Sequence, residues 1–122
     1  MQIALKATAA ASALALVGML SLAPAPAQAE GASVVEQGKK LTFDRKKGNC
    51  LSCHVIADGE LPGNIGPALV AMKIRFPDKA KLREQVYDAR IKNPNTIMVP
   101  FGPMGVLSDA EIDKIVEYIY TL

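Results

Sequence analysis

Both cysteines of the chain and its single histidine fall within one stretch of five residues. Cys50 and Cys53 are separated by two residues, and His54 follows directly. Two thiols at this spacing can form thioethers with the two vinyl groups on one edge of a porphyrin, and the next side chain is carried under the iron. This C-x-x-C-H pattern is typical of c-type haem attachment. The sequence therefore predicts one covalent haem c on Cys50 and Cys53, with His54 as an axial ligand of the iron.

Other uses of these three side chains fit less well. A structural zinc site needs four nitrogen or sulfur ligands, and the chain offers two cysteines and one histidine. A disulfide between Cys50 and Cys53 would close a very small loop and stabilise the fold little. A thioredoxin-like dithiol follows a strand, and no strand pattern precedes Cys50. Haem attachment is therefore the favoured interpretation.

The N-terminal region has the features of an export signal. Lys6 precedes an uncharged apolar run over residues 7–22, which is short for a membrane span of about 20 residues. Residues 27–29 (A-Q-A) match the small-x-small pattern of a signal peptidase site. We therefore predict a cleaved signal peptide over 1–29 and one cytochrome c domain over 30–122. The domain is expected in the periplasm, with no stable membrane insertion after cleavage.

Short helices separated by loops rich in glycine and proline are predicted for the rest of the chain. One helix is predicted over 33–47, where Gly48 ends it, and two more over 68–75 and 79–92. The clearest helix follows Ser108, which forms a capping box with Glu111. Its apolar face is formed by Ile112, Ile115, Val116 and Ile119. The predicted fold class is all-α, with helices and loops wrapped around one covalent haem.

Charge composition gives no sign of a nucleic-acid partner, because 14 lysines and arginines nearly balance 12 aspartates and glutamates. Five basic residues do cluster just before the cysteines, within residues 39–47. This run is either a solvated helix face or a surface that attracts an acidic redox partner.

The sixth iron ligand must come from another part of the chain. Since no second histidine is present, methionine is the natural donor. Removal of the signal peptide leaves Met72, Met98 and Met104. Met72 is predicted to pack in the core, whereas Met98 and Met104 both lie in the proline-rich segment before the last helix. From the residues alone, either of these two can be the ligand.

The whole predicted domain resembles SoxX, the small monohaem subunit of the SoxAX cytochromes of bacterial thiosulfate oxidation. The resemblance rests on five stretches: GNCLSCH (48–54), LPGNIGP (61–67), RFPDKAKL (75–82), NPNTIM (93–98) and YIYTL (118–122). Many cytochromes share the first stretch, whereas the third and fourth are more specific. The resemblance implies a small class I cytochrome c-like fold.

The resemblance also implies roles for individual residues. In class I cytochromes c, a proline carbonyl accepts the second ring N–H of the ligating histidine, and Pro67 matches that position for His54. The distal ligand of the family matches Met98, within residues 98–102 (M-V-P-F-G). Val99 stands where the family usually has proline, and Met104 supplies a competing sulfur. We therefore expect Met98 to bind the iron, with Met104 as the alternative.

The function implied by the resemblance is that of an enzyme subunit. It implies a heterodimer with a larger SoxA cytochrome, acting as an L-cysteine S-thiosulfotransferase that couples thiosulfate oxidatively to a cysteine of the SoxYZ carrier. This chain would supply no catalytic residue, accepting electrons and passing them to a small soluble cytochrome. The alternative is a freestanding periplasmic class I cytochrome c. A ligand-sensing haem is disfavoured because it needs an open sixth site.

Overall fold

The computed structural model describes residues 32–122, so the predicted signal peptide over 1–29 lies outside the described residues. Helices in this range are α1 (Val34–Phe43), α2 (Met72–Arg75), α3 (Lys79–Tyr87) and α4 (Asp109–Ile119). Two 3-10 turns, Cys50–Ser52 and Ala89–Ile91, complete the regular structure, and the described range contains no strand. The predicted all-α class is confirmed for these residues. Nowhere between residues 32 and 122 does a helix have the length and hydropathy needed to cross a bilayer.

Helix α4 forms the centre of the fold. Its capping box is present: the Glu111 N–H donates to Ser108 Oγ at 3.3 Å, and the Ser108 N–H donates to Glu111 Oε2 at 2.9 Å. The four apolar residues predicted to share one face are all buried. Helices α1 and α3 both pack against α4, with α1 making the more extensive contact. The C-terminal helix is thus specified locally by its cap and globally by its buried face.

Helix α1 crosses α4 at a glycine. A Cβ at Gly38 would overlap the backbone carbonyl of Lys114, so the two backbones approach as closely as they do only because the side chain is absent. Nearby, the rings of Phe43 and Tyr118 pack at a centroid distance of 6.1 Å and an angle of 56°. This close crossing joins the N-terminal helix of the described range to the C-terminal one.

Helix α1 ends earlier than the sequence predicts, at Phe43 rather than before Gly48. Asp44 adopts an extended conformation, and its side chain accepts a hydrogen bond from the Lys46 N–H at 2.8 Å. Its carbonyl accepts from the N–H groups of Lys47 and Asn49. An aspartate that satisfies nearby backbone donors in this way favours a turn over continued helix.

The two middle helices are also shorter than predicted. Helix α2 begins only at Met72 because Ala71 has a left-handed φ of 50°. Helix α3 ends at Tyr87 because Asp88 adopts φ −152° and its carboxylate accepts from the Arg90 N–H at 3.1 Å. The remainder of the predicted helix is the 3-10 turn Ala89–Ile91. Connecting segments therefore make up much of the chain between the end of α1 and the start of α4.

The outer surface of α3 and α4 is held by ion pairs, and we call it the ion-paired face. Arg83 donates to both Asp109 and Asp113 at 2.6 Å, and Lys79 lies 2.8 Å from Glu117. These side chains are well exposed, so each pair stabilises the fold by at most about 1 kcal/mol.

The segment over residues 61–72 contrasts with that face, and we call it the apolar loop. It contains no charged residue. Leu61 is 97% exposed and has a left-handed φ of 53°. For a residue other than glycine, this conformation costs about 1–2 kcal/mol. The backbone conformation of Leu61 therefore lowers the stability of the fold, and its side chain is not buried in return.

Candidate haem site

The predicted attachment residues are positioned by a tight turn. Asn49 enters it with a left-handed φ of 46°, and the Cys53 and His54 N–H groups both donate to the Cys50 carbonyl, at 3.2 and 2.9 Å. Because the turn folds the segment back on itself, Cys50, Cys53 and His54 all line one cavity. The structure thus brings together the three residues that the motif predicts.

The cavity has a volume of about 610 Å³ and lies between the turn, the helices and the connecting segments. Much of its wall is apolar, including Leu69, Met72, Leu82, Val86, Phe101 and Ile115. This size and lining are typical of a site for an organic cofactor. Without a large apolar group between them, the short helices would leave this part of the core unfilled.

The His54 ring is held on two sides. Its Nδ1 lies 2.7 Å from the Pro67 carbonyl oxygen, the position that the class I resemblance assigns to the acceptor. A Cβ at Gly66 would overlap the ring at Cε1, so the backbone of residue 66 lies directly against the imidazole. When Nδ1 donates to the carbonyl, Nε2 is the nitrogen left free to bind a metal. The contact at Gly66 was missed from the sequence, where this glycine indicated only a loop.

The three candidate methionines lie in different environments. Met98 is half-buried and lines the cavity. Met72 also lines the cavity but is buried in the core, and its sulfur lies 3.6 Å from an Arg75 guanidinium nitrogen. Met104 is 66% exposed and is not part of the cavity wall. The geometry therefore favours Met98 over Met104 as the donor of a thioether sulfur.

Cys50 and Cys53 form no disulfide with each other. Burial raises the pKa of Cys50 to about 11, so this side chain is a neutral thiol near pH 7. A catalytic dithiol works through a thiolate with a lowered pKa, which is the opposite shift. The buried Cys50 thiol therefore differs from the attacking thiol of a catalytic dithiol.

The charged side chains that line the cavity, among the residues the structure describes, are all basic. Its wall includes Arg45, Lys46, Lys47 and Arg75, and no aspartate or glutamate within residues 32–122 contributes to it. Lys47 is paired with Glu111 at 2.8 Å, and Arg75 donates to the Ala68 carbonyl at 2.7 Å. A large apolar plate with acidic substituents, such as a haem with its propionates, fits a cavity with apolar walls and cationic edges. Arg75 was not singled out from the sequence as a site residue.

The comparison with protein families agrees with this site. The sequence pattern of the family described as "Cytochrome C oxidase, cbb3-type, subunit III" matches residues 27–119, which is most of the chain. The chain therefore belongs to this family of c-type cytochrome domains.

Two individual proteins are similar to the chain. The crystal structure of SoxXA from P. pantotrophus superimposes with a TM-score of 0.64 at 28% sequence identity, covering 70% of this chain and 79% of that chain. An uncharacterized lipoprotein of Aquifex aeolicus (strain VF5) is 36% identical over 80 residues, covering 62% of this chain and 37% of the relative. The chain thus spans well under half the length of this curated relative.

Fold, cofactor and general role follow from these matches. The chain has an all-α class I cytochrome c fold and is a SoxX-like monohaem cytochrome. It carries covalently bound haem c and serves in electron transfer.

Proposed function

We propose that the chain is the electron-accepting subunit of a heterodimeric enzyme and that residues of one cavity hold its haem. The observation that carries this proposal is the presence of Cys50, Cys53, His54 and Met98 in the wall of the same cavity. The two cysteines would form the thioethers, His54 and Met98 would bind the iron, and Pro67 would orient His54. When bound, the haem supplies reversible one-electron chemistry.

The residues around the haem would set its reduction potential. A neutral thioether from Met98 favours reduced iron and so raises the reduction potential, as an electron acceptor requires. Buried apolar residues such as Leu82 and Phe101 keep water from the cavity wall, which also favours the less charged state. The site is thus suited to receiving an electron from a neighbouring redox centre.

The enzyme in question is an L-cysteine S-thiosulfotransferase of the SoxAX type. In this proposal the partner is a larger SoxA-type cytochrome, and the substrates are thiosulfate and a cysteine of the SoxYZ carrier. Both cysteines of this chain are assigned to the haem, so it has no thiol left to act as a nucleophile. The sulfur chemistry therefore belongs to the partner, and this chain passes the electrons to a small soluble cytochrome.

Three observations support a location outside the cytoplasm. Haem c is attached after export, one similar protein is described as a lipoprotein, and residues 1–29 have the pattern of a signal peptide. We propose that the signal is cleaved and that the domain over 30–122 works in the periplasm.

One reconstitution experiment tests the function. The haem-loaded chain is mixed with the SoxA-type subunit purified from the same cells, with SoxYZ and with thiosulfate, and reduction of its haem is followed by absorbance. We expect reduction only when all the components are present, and co-elution of the two cytochromes as a heterodimer. Omission of the SoxA-type subunit is the matched control. A chain that stays monomeric and unreduced in the full mixture would be a freestanding electron carrier instead.

A further inference from the structure

The segment over residues 96–102, which we call the distal segment, carries Met98 and is anchored at both ends. At its start, the Met98 N–H donates to Thr96 Oγ1 at 3.1 Å. At its end, the Gly102 N–H donates to the Tyr87 carbonyl at 3.1 Å. Thr96 lies in the wall of the haem cavity, as Met98 does, whereas Tyr87 lies outside that wall. The anchor at the far end is therefore a residue that does not line the haem site.

The Tyr87 ring lies directly against the backbone of Gly102. A Cβ at Gly102 would overlap three atoms of the ring, Cδ2, Cε2 and Cζ. The φ of Gly102 is not in the left-handed region, so its backbone conformation does not call for glycine. Gly105 is the opposite case, because its φ is 64° and no atom lies within 4 Å of its Cβ position. The contact with the ring is thus the structural reason for glycine at residue 102.

The position of the Tyr87 ring is fixed in turn by helices α3 and α4. Tyr87 is the last residue of α3, and the Arg83 guanidinium lies over its ring, 5.8 Å from the centroid. Arg83 also donates to Asp109 and Asp113 of α4, each at 2.6 Å. Through this ring, the two helices fix the far end of the distal segment.

We propose that Tyr87 is a positioning residue for the iron ligand Met98 and acts through Gly102. This inference rests on the proposed binding of the iron by Met98. The intervening chain is stiff, because Pro100 has a fixed φ and the Phe101 side chain is buried. A segment that is already ordered loses less conformational entropy when its sulfur binds the iron. Removal of the ring should therefore make Met98 easier to displace, although the sulfur itself is unchanged.

Competition by imidazole tests this inference in the haem-loaded, oxidised protein. Tyr87→Leu removes the ring and keeps the backbone carbonyl, whereas Tyr87→Phe keeps both. Tyr120→Leu is the matched control, because Tyr120 is also partly buried, also has cationic groups over its ring and also lies outside the cavity wall. An absorbance titration gives the dissociation constant of imidazole. We expect Tyr87→Leu to tighten imidazole binding about tenfold, and Tyr87→Phe and Tyr120→Leu to change it less than about threefold.

Two further variants separate positioning from easier access to the iron. In a Met98→Ala chain there is no sulfur to position, so the addition of Tyr87→Leu should leave the imidazole affinity unchanged. Gly102→Ala disturbs the same contact from the distal segment, because its methyl group displaces the ring, and it should tighten imidazole binding several-fold. Equal tightening by Tyr87→Leu with and without Met98 would overturn the inference, as would an unchanged affinity in Gly102→Ala.

The outcomes also separate the inference from the ligand assignment on which it rests. If Met98→Ala keeps the methionine-to-iron charge-transfer band, the assignment of Met98 fails and the role of Tyr87 fails with it. If Met98→Ala loses the band but Tyr87→Leu binds imidazole no more tightly than the wild type, the assignment stands and the positioning role is overturned. Equal tightening by Tyr87→Leu and Tyr120→Leu would reduce the effect to a general loss of stability and would overturn the positioning role too.

Discussion

The ion-paired face and the apolar loop differ in whether their exposed side chains have partners within the chain. On the ion-paired face, Arg83 and Lys79 of α3 meet carboxylates of α4 within the same chain. In the apolar loop, Leu61 is almost wholly exposed, and Ile65 lies in the wall of the haem cavity. The exposed charges of the first face are paired within the chain, whereas the second segment combines an exposed leucine with a residue of the haem cavity.

A small cytochrome needs both a stable framework and a site for its haem, and different parts of this chain provide them. Helix α4, with its capping box and its close crossing to α1, supplies a stable framework from local signals and buried area. The segments between the helices carry the residues assigned to the haem and the exposed aliphatic side chains. Function thus lies in the connecting segments, and the helices hold those segments in place. Substitutions in the connecting segments should therefore affect the haem, and most substitutions in the helices should affect the stability of the fold.

Removal of both attachment thiols should have the largest effect. In Cys50→Ala combined with Cys53→Ala, no thioether can form, so we expect complete loss of haem that stays with the polypeptide after acid–acetone extraction. The melting temperature should also fall, because a bound group stabilises the folded state by linkage. Ser52→Ala, between the two thiols, is the control and should keep its haem. Haem retained covalently by the double variant would disprove the assignment.

Loss of the distal sulfur should be the next largest effect. Met98→Ala should abolish the methionine-to-iron charge-transfer band of the oxidised protein and let added imidazole bind, because Met98 lines the cavity. Met104→Ala removes an exposed sulfur outside the cavity wall and should leave the band unchanged. Absorption spectra of the two oxidised variants provide the measurement. A band that survives in Met98→Ala and vanishes in Met104→Ala would reverse the assignment.

A methyl group at the helix crossing should destabilise the framework without touching the site. Gly38→Ala forces the α1 and α4 backbones apart at Lys114 and should lower the free energy of unfolding by about 3 kcal/mol. Gly105→Ala is the control: its φ of 64° disfavours alanine, but no atom lies nearby, so about 1 kcal/mol is expected. Urea unfolding of the haem-loaded variants measures both. Equal stability of the two variants would contradict the close crossing.

Acid should weaken the ion pair between Glu111 of α4 and Lys47 in the cavity wall. Hydrogen bonds from Lys47 and from Ser108 lower the pKa of Glu111 from 4.5 to about 2. A lowered carboxylate pKa contributes stability above its ordinary value, and that stability is lost as the pH falls from about 4.5 to about 2. Because Lys47 is 40% exposed, solvent screening limits the contribution to about 1 kcal/mol.

Glu111→Gln tests this pH dependence, because it removes the charge and keeps an amide able to bond to the cap. The wild-type protein should be more stable than the variant at pH 6, and the difference should close between about pH 4.5 and pH 2. Thermal unfolding across this range measures the difference. If the difference grew on acidification, the sign of the linkage would be wrong.

The smallest effect is expected on the ion-paired face. Arg83→Ala breaks both of its pairs, yet all three side chains are well exposed, so the loss should be no more than about 1 kcal/mol and should shrink in high salt. Chemical unfolding at low and high salt checks both statements, with Lys81→Ala, which loses a single pair within α3, as the control. A loss of several kcal/mol would mean that this face, and not the α1–α4 crossing, holds the framework together.

The sequence predicts most accurately those elements whose signals are local. Helix α4 begins where Ser108 and Glu111 predict, because a capping box acts within one turn. The predicted end of α1 was wrong. Hydrogen bonds to Asp44 stabilise a turn there, although the helical sequence pattern continues to Gly48. The same kind of local competition by Asp88 shortened α3. Boundaries set by side-chain bonds to the backbone are invisible to a periodicity argument.

At the candidate site, too, local sequence signals predicted some features and the folded backbone was needed for others. The motif and the resemblance named Cys50, Cys53, His54 and Met98, and the structure brings all four to one cavity. Contacts that depend on the path of the chain, such as Gly66 against the His54 ring, required the folded backbone. The assignment of the iron ligands stays a prediction that the variants above will test.

The confinement of the His54 ring bears on the speed of electron exchange. The Pro67 carbonyl and the Gly66 backbone leave the imidazole little room to rotate. If His54 binds the iron as we propose, its ring cannot swing when the charge beside it changes by one electron. Little movement of this side chain would then accompany oxidation or reduction of a bound haem, which would lower the nuclear barrier to electron transfer. The segment that carries Gly66 and Pro67 would thereby favour fast electron exchange at a bound haem.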